Sequence, residues 1–236
     1  MNITRYIGKI FDAFSIDIGI DLGTANTLVY VRGKGIVLNE PTIVALNKKT
    51  NQLVAIGNDA KTMLGRTPSH IEVVRPLVHG VISDFEVTEE MLAYLITKVR
   101  SARRNIIAPR VLIGVPSGIT SVEMRAARDA ARNAGARDVL LVEEPIAAAI
   151  GAKLPIHKPQ GSMIIDIGGG TTDIAVISLG GIVTAKNLRI AGDQLNNDIV
   201  SYIRDQFKVL IGDKTAEDTK MTLASVEENG PTKEMI

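Results

Sequence analysis

The stretch Asp21-Leu22-Gly23-Thr24-Ala25-Asn26-Thr27 returns 145 residues later as Asp166-Ile167-Gly168-Gly169-Gly170-Thr171-Thr172. Both copies fit D-[LI]-G-x-x-x-T, and both follow an apolar run with strand character. After each comes a β-prone segment (28–31 and 174–177), a Gly turn, and then Gly-Ile-Val at 35–37 and 181–183. The offset there is 146, so the two hairpins differ by one residue. The same order of strand, D-x-G loop, strand, Gly turn and strand, met twice, predicts two related half-domains.

A Gly-rich turn after a strand exposes consecutive backbone N–H groups that can cradle phosphate oxygens. Gly168, Gly169 and Gly170 carry no Cβ to obstruct a close approach, and Thr24, Asn26, Thr171 and Thr172 add hydrogen-bonding side chains. Asp21 and Asp166, at the strand ends, could hold a hydrated Mg²⁺, an ion that keeps several waters and needs few carboxylates. Two facing loops would grip one polyphosphate from both sides. The competing reading is a pair of tight β-turns with no ligand. There is no G-x-x-x-x-G-K-[ST], and no G-x-G-x-x-G follows a strand, so P-loop and dinucleotide sites are excluded.

The rest of the chain narrows the classes further. The 236 residues carry Lys+Arg 27 against Asp+Glu 26, with 45% apolar residues. That balance excludes a disordered chain and a strongly basic nucleic-acid binder. Cys is 0, which removes disulfides, thiolate zinc sites and cysteine nucleophiles. His70, His79 and His157 show no metal-ligand spacing and read as surface or loop residues. No apolar run reaches about 18 residues, so no spanning helix is expected. Short strands are predicted at 43–46 and 53–56, with a short helix near 60–64. Helices follow over 88–104 and, after a Thr120-Ser121-Val122-Glu123 capping box, up to a Gly135 stop. Buried strands at 111–115 and 139–142 lead to an Ala-rich helix over 145–152, and further helices are predicted at 194–210 and 215–225. Alternating strands and helices indicate an α/β fold.

Four motifs, IDLGTANTLVYV (20–31), VPSGIT (115–120), VEEPIAAAIGA (142–152) and IDIGGGTTDIAVISLGGIV (165–183), together resemble the MreB family of rod-shape-determining bacterial actins, from about Ser15 onward. The resemblance implies an α/β actin-like ATPase fold, two RNase H-like halves around a nucleotide cleft, with ATP and Mg²⁺ as ligands. It places the phosphates at Gly23, Thr24, Ala25 and Asn26 and at Gly168, Gly169, Gly170 and Thr171. It makes Glu144 the residue that positions the attacking water, beside Asp21 and Asp166; without the other motifs, Glu144 reads rather as helix N-terminal charge. Gly192 and Asp193 would lie beside the ribose, and Ala216, Glu217, Asp218, Thr219 and Lys220 along the adenosine, with Glu217 and Lys220 the contacts. Position 173 is Asp where the family often has Glu. Heat-shock-type chaperone ATPases and small-molecule kinases share this superfamily and are the alternative readings.

The implied division is 15–41 and 79–157 for the first large subdomain and 42–78 for the first small one. The second large subdomain would be 158–187 and the second small one 188–236, where the chain stops short of the family's closing Gly-rich loop; the expectation is a fragment. Residues 1–14 place Ile3, Ile7, Ile10, Phe11 and Phe14 on one helical stripe, an amphipathic helix suited to a lipid surface or to the protein's own core. Three of the eight aromatic residues, Tyr6, Phe11 and Phe14, fall in it. Lys98, Arg100, Arg103, Arg104 and Arg110 surround Ile106 and Ile107, which the resemblance makes a membrane-inserting loop and which otherwise read as a solvated basic helix end. The expected whole is a slow Mg-dependent ATP hydrolase in head-to-tail filaments. It would lie at the inner face of the cytoplasmic membrane and work with cell-elongation machinery.

Overall fold

The computed structural model describes residues 16–101 and 108–226. The stripe at Ile3, Ile7, Ile10, Phe11 and Phe14 and the pair Ile106 and Ile107 lie outside the described residues. Strands β1 (Asp17–Leu22), β2 (Asn26–Val31) and β3 (Gly35–Pro41) form a meander. Next come β4 (Val44–Asn47), β5 (Gln52–Ile56), helix α1 (Asn58–Met63) and β6 (Ile71–Val74). A ribbon of β7 (Leu77–Val78) and β8 (Val81–Ile82) leads into α2 (Phe85–Ser101). Then follow β9 (Arg110–Val115), α3 (Ser121–Asn133), β10 (Asp138–Glu143) and α4 (Glu144–Gly151). The described chain ends with β11 (Ser162–Ile167), β12 (Thr172–Ser178), β13 (Gly181–Leu188), α5 (Gly192–Phe207) and α6 (Asp213–Leu223).

The largest sheet has five strands in the order β10-β9-β1-β2-β3. β1 pairs antiparallel with β2 and parallel with β9, and β9 pairs parallel with β10. Parallel neighbours need crossovers, and α2 and α3 supply them. Alternate residues of β1 (Ile18, Ile20, Leu22) and of β9 (Val111, Ile113, Val115) are buried, in one cluster with Met91, Leu92, Leu95 and Ile96 of α2. Ala127, Ala130 and Ala131 let α3 approach closely. Its start is the capping box read from the sequence. Glu123 N donates to Thr120 Oγ1 at 3.2 Å and Thr120 N donates to Glu123 Oε2 at 2.7 Å. Gly135, at φ +100°, follows its end.

A three-stranded sheet, β11-β12-β13, repeats the β1-β2-β3 meander, and each meander carries one register shift in its second hairpin. Ala149 of α4 packs on Ala175 and Ile177 of β12. Met163, Ile165 and Ile167 of β11 are exposed. The β4-β5-β6 sheet forms a satellite with its own small core of Ile43, Ala45 and Ala60.

Several helix bounds differ from the sequence expectation, with α1 at Asn58–Met63 rather than near 60–64 and α6 at Asp213–Leu223 rather than 215–225. α2 starts three residues before Thr88, because Asp84 Oδ1 accepts from Val87 N at 3.1 Å and caps the first turn. α5 covers Gly192–Phe207 rather than 194–210, since Lys208 turns left-handed at φ 57° and leaves Leu210 outside and exposed. No helix of the described residues is long and apolar enough to cross a membrane.

Leu95 is fully buried, whereas Ile36 on β3 is 63% exposed. Leu95→Ala therefore lowers unfolding free energy by about 2–5 kcal/mol and Ile36→Ala by less than about 0.5 kcal/mol, read from urea midpoints. Equal shifts would contradict this account of the core.

Candidate functional site

Both D-x-G loops close strand ends, and the protein ties their carbonyls back. In the loop between β1 and β2, Thr42 Oγ1 donates to Gly23 O at 2.7 Å and Thr42 N donates to Ala25 O at 2.9 Å. In the loop between β11 and β12, Gly192 N donates to Gly168 O at 3.1 Å and Asp193 N to Gly169 O at 2.8 Å. Gly168 N closes the loop on Thr171 O at 2.9 Å, and His79 Nδ1 meets Gly170 O at 3.2 Å. Every carbonyl from Gly168 to Thr171 thus has a partner. Among the described residues, the N–H groups of Thr24, Ala25, Gly169, Gly170 and Thr171 have no hydrogen-bond acceptor. Free amides in succession on two facing loops form an anion cradle.

The loops touch. A Cβ on Gly169 would lie 2.6 Å from Ala25 Cβ, and one on Gly170 would lie 2.7 Å from Thr24 Oγ1. Only glycine fits at either place. Gly80 N also donates to Thr24 Oγ1 at 2.9 Å, fixing that side chain over Gly170.

Below the loops lie the acids. Asp21 and Asp166 are the penultimate residues of β1 and β11, and Glu144 opens α4 directly after β10. Gly114 of β9 sits between them, where a Cβ would be 3.4 Å from Glu144 Cγ and 4.0 Å from Asp21 Oδ1. Asp173 on β12 pairs in register with Asp166. It is 2% exposed and accepts from Ser117 N at 3.2 Å and Asn187 Nδ2 at 2.8 Å. The neighbouring Ser117 hydroxyl is buried with no partner among the described residues.

Crowding like charge has its usual effect. Burial, helped by Asp21, Asp173 and Asp166, pushes the Glu144 carboxyl up to about 8. Asp21 opens onto the cleft, yet the walls remove most of its hydrating water, and with Asp166 nearby its pKa rises. Burial and then Asp173 raise Asp166. No three of these groups, nor any other His, Cys, Asp or Glu side chains among the described residues, converge closely enough to ligate a bare metal ion. A hydrated cation fits the set: all-oxygen, anionic, and lacking a protein countercharge.

Farther along the cleft, Lys220 Nζ donates to Glu217 Oε2 at 2.7 Å and to Gly192 O at 3.2 Å, and Asn196 Nδ2 donates to the same Oε2 at 2.7 Å. Lys220 and then Asn196 hold the Glu217 carboxyl below its ordinary value. Asn196 Oδ1 is a buried acceptor with no partner among the described residues. Of the segment expected along an adenosine, Ala216 is buried beneath this group. Asp218 is exposed and not joined to it, and Thr219 Oγ1 is bound to Thr215 O of its own helix at 2.7 Å. Asp193 pairs instead with Arg75 at 3.3 Å.

The structure therefore gathers Asp21, Glu144 and Asp166 with both loops, as the sequence reading expected. Asp173, Asn196, Arg75 and His79 were missed. Asp173 alone had a sequence signal, since a tight hairpin sets it opposite Asp166. Arg75 and His79 meet the second half across 118 and 91 residues, which no local pattern encodes.

Two meanders of one design, closed loop to loop over an acidic floor, define an actin-like protein. A model of the MreB/Mbl protein family matches residues 15–236, and the chain belongs to that family. It is 53% identical over 213 residues to the cell shape-determining protein Mbl of Bacillus subtilis, covering 90% of this chain and 64% of that one. It is 53% identical over 216 residues to the cell shape-determining protein MreB of Escherichia coli, covering 90% and 62%. MreB5 of Spiroplasma citri bound to ADP superposes with TM-score 0.84 at 43% identity, over 91% of this chain and 64% of that one. The same protein bound to AMPPNP gives 0.85 at 44%, over 92% and 65%. The chain thus spans about two thirds of the length of these relatives.

The Glu144 pKa makes a stability prediction. Its folded value, about 8, lies above the ordinary 4.5, so the folded state holds the proton more tightly than the unfolded one. The stabilisation is complete below about pH 4.5 and is lost as pH rises through about 8. The thermal midpoint of ligand-free protein should fall over that window, and Glu144→Gln should flatten the fall. Parallel profiles for the two proteins would refute the assignment.

Proposed function

We propose that this protein binds ATP with Mg²⁺ in the cleft and hydrolyses it slowly, as a subunit of membrane-associated filaments that organise cell-wall synthesis and rod shape. The observation that carries the reading is the pair of amide cradles facing each other over an acidic floor that has no protein countercharge. The MreB5 structures with ADP and AMPPNP support a nucleotide as occupant. The relatives' names as cell shape-determining proteins support the cellular role.

Each part of the site has a task in this reading. Gly23, Thr24, Ala25 and Asn26 hold the phosphates from one side, and Gly168, Gly169, Gly170 and Thr171 from the other. Backbone donors fixed in advance stabilise the charge that spreads over the transferred phosphoryl group without reorganising. The cation neutralises phosphate charge when bound; Asp21 and Asp166 would hold it through water. Glu144, at the first turn of α4, orients the attacking water and, once ionised, accepts its proton. Asp173 keeps the Ser117 turn against the second loop. The Glu217-Lys220-Asn196 group, beside Gly192, receives the nucleoside end. The subdomain division at 15–41 with 79–157, 42–78, 158–187 and 188–236 belongs to the same proposal.

Head-to-tail self-assembly follows the family. Attachment to the inner face of the cytoplasmic membrane rests on the stripe at Ile3, Ile7, Ile10, Phe11 and Phe14 and on Ile106 and Ile107 among five cations. Cell-elongation proteins are the proposed partners there, and a net charge of +1 gives nucleic acid no purchase.

Two measurements test this. Glu144→Gln should bind AMPPNP as the wild type does and hydrolyse ATP about 10²–10⁴-fold more slowly; unchanged hydrolysis removes Glu144 from the mechanism. A chain lacking residues 1–14 and carrying Ile106→Ser and Ile107→Ser should co-sediment less with anionic liposomes. Retained co-sedimentation would sink the membrane assignment.

A further inference from the structure

The five-stranded sheet has two ends, and the cleft occupies only one of them. Asp21 pairs with Gly114 at the cleft end of β1 and β9, while Asp17 pairs with Arg110 at the opposite end, about 13 Å away along the strands. β2 runs back to that opposite end, and the turn Arg32-Gly33-Lys34 joins it there to β3. Arg110 N donates to Ile16 O at 3.0 Å, so the chain enters β1 and β9 side by side. Residues 1–14 precede the first entry, and Ile106 and Ile107 precede the second. Both segments proposed for the membrane are therefore rooted next to this turn.

The turn stands clear of the protein. Arg32 and Lys34 are exposed, and a Cβ on Gly33 or Gly35 would meet nothing within 4 Å. Its backbone is nonetheless fixed: Lys34 N donates to Val31 O at 2.9 Å and Arg32 N to Asp17 O at 3.1 Å. One carboxylate serves two guanidiniums. Arg32 Nη1 donates to Asp17 Oδ2 at 3.1 Å, and Arg110 Nε donates to Oδ1 at 2.8 Å. The Arg32 side chain is 78% exposed, so its pair with Asp17 is weak and the remaining N–H groups of its fork are open to a further acceptor. The Lys34 ammonium has no partner among the described residues.

We propose that the turn between β2 and β3 is a third membrane contact, in which the Arg32 guanidinium and the Lys34 ammonium bind the phosphates of anionic lipid headgroups. The inference rests on the membrane reading above. Arginine presents a planar fork of donors that matches a phosphate, and lysine adds a point charge. The stripe at 1–14 and the pair Ile106 and Ile107 offer apolar side chains to the acyl region. The turn is short, polar and tied to β1, so it meets headgroups instead. Asp17 holds Arg32 beside the root of the 1–14 segment, and a headgroup bound there lies at a fixed distance from that root. A contact on a fixed turn sets orientation as well as adding affinity. The sheet then rests on lipid by its cleft-distal end, and the cleft, at the other end of the same strands, faces away from the membrane.

The test uses the full chain and vesicles of phosphatidylglycerol mixed with phosphatidylcholine. Arg32→Gln with Lys34→Gln should bind these vesicles about 30-fold more weakly than the wild type, roughly fivefold per cation lost, at an unchanged thermal midpoint. Lys49→Gln with Lys214→Gln removes the same charge from exposed positions away from the turn and should bind as the wild type does. The chain has no cysteine, so a single nitroxide on Ile36→Cys, two residues beyond the turn and 63% exposed in the wild type, reads the contact directly. Nickel-chelating lipid in the vesicles should quicken the relaxation of that label and leave one on Asp218→Cys, beside the nucleoside end of the cleft, unaffected. Equal losses for the two charge pairs, wild-type affinity in Arg32→Gln with Lys34→Gln, or no relaxation effect at Ile36→Cys would each overturn the proposal. A wild-type chain that leaves the anionic vesicles unbound would overturn the membrane reading, and the turn assignment with it.

Discussion

Gly169 and Gly170 lie so close to Ala25 and Thr24 that a Cβ on either would come within 2.7 Å of the opposite loop. That contact brings together two strand ends which the chain separates by 145 residues. Once it forms, Asp21 and Asp166 must share one cleft, and Glu144 is brought beside them because β9 and β10 run parallel to β1 in register. Gly114 completes the arrangement by leaving the space between Asp21 and Glu144 empty of side chain. A larger residue at Gly169 or Gly170 would press on the opposite loop, and one at Gly114 would crowd Glu144.

The ties across the cleft are graded from floor to mouth. At the floor, the buried Asp173 takes the Ser117 amide, a charge-assisted bond away from solvent. Midway, the His79 ring reaches Gly170 O from an open position. At the mouth, Arg75 meets Asp193 at 3.3 Å with both side chains about two-fifths exposed, a pair worth about 0–1 kcal/mol. The contact at the mouth is thus the weakest of the three and the one at the floor the most sheltered from solvent.

The sequence made legible what is local. Both meanders, the capping box of α3 and the start of α4 follow from spacing and turn chemistry within about twenty residues, and the kinship of the two D-x-G loops follows from their repeated motif. α2 was entered late because Asp84 caps it ahead of the apolar stripe, and α5 was carried too far because Leu210 continues a periodicity that the left-handed Lys208 has already ended. The family resemblance sets Asp218 in the same segment as Glu217 and Lys220, and on the helix neighbouring positions face different ways, so Asp218 lies exposed while Glu217 and Lys220 pair. His79 and Arg75 were invisible because their partners lie in the other half. A histidine without ligand spacing carries no signal for a single backbone carbonyl.

The electrostatics of the floor couple its ligands to one another. Burial and neighbouring acids push the Glu144 carboxyl up to about 8 and raise Asp21 and Asp166 above their ordinary values. A polyphosphate arriving alone brings negative charge to a site that already resists it, and the amide cradles offset only part of that repulsion. In the proposed reading, Asp21 and Asp166 would hold the cation through water and would be favoured in their ionised forms by its charge, which would also offset that of the phosphates. Reciprocity of linked binding then requires that whatever favours one favours the other equally. In the same reading, an acidic floor without a protein cation would favour a metal–phosphate pair over either member and would favour the ionised form of Glu144 when that pair is bound.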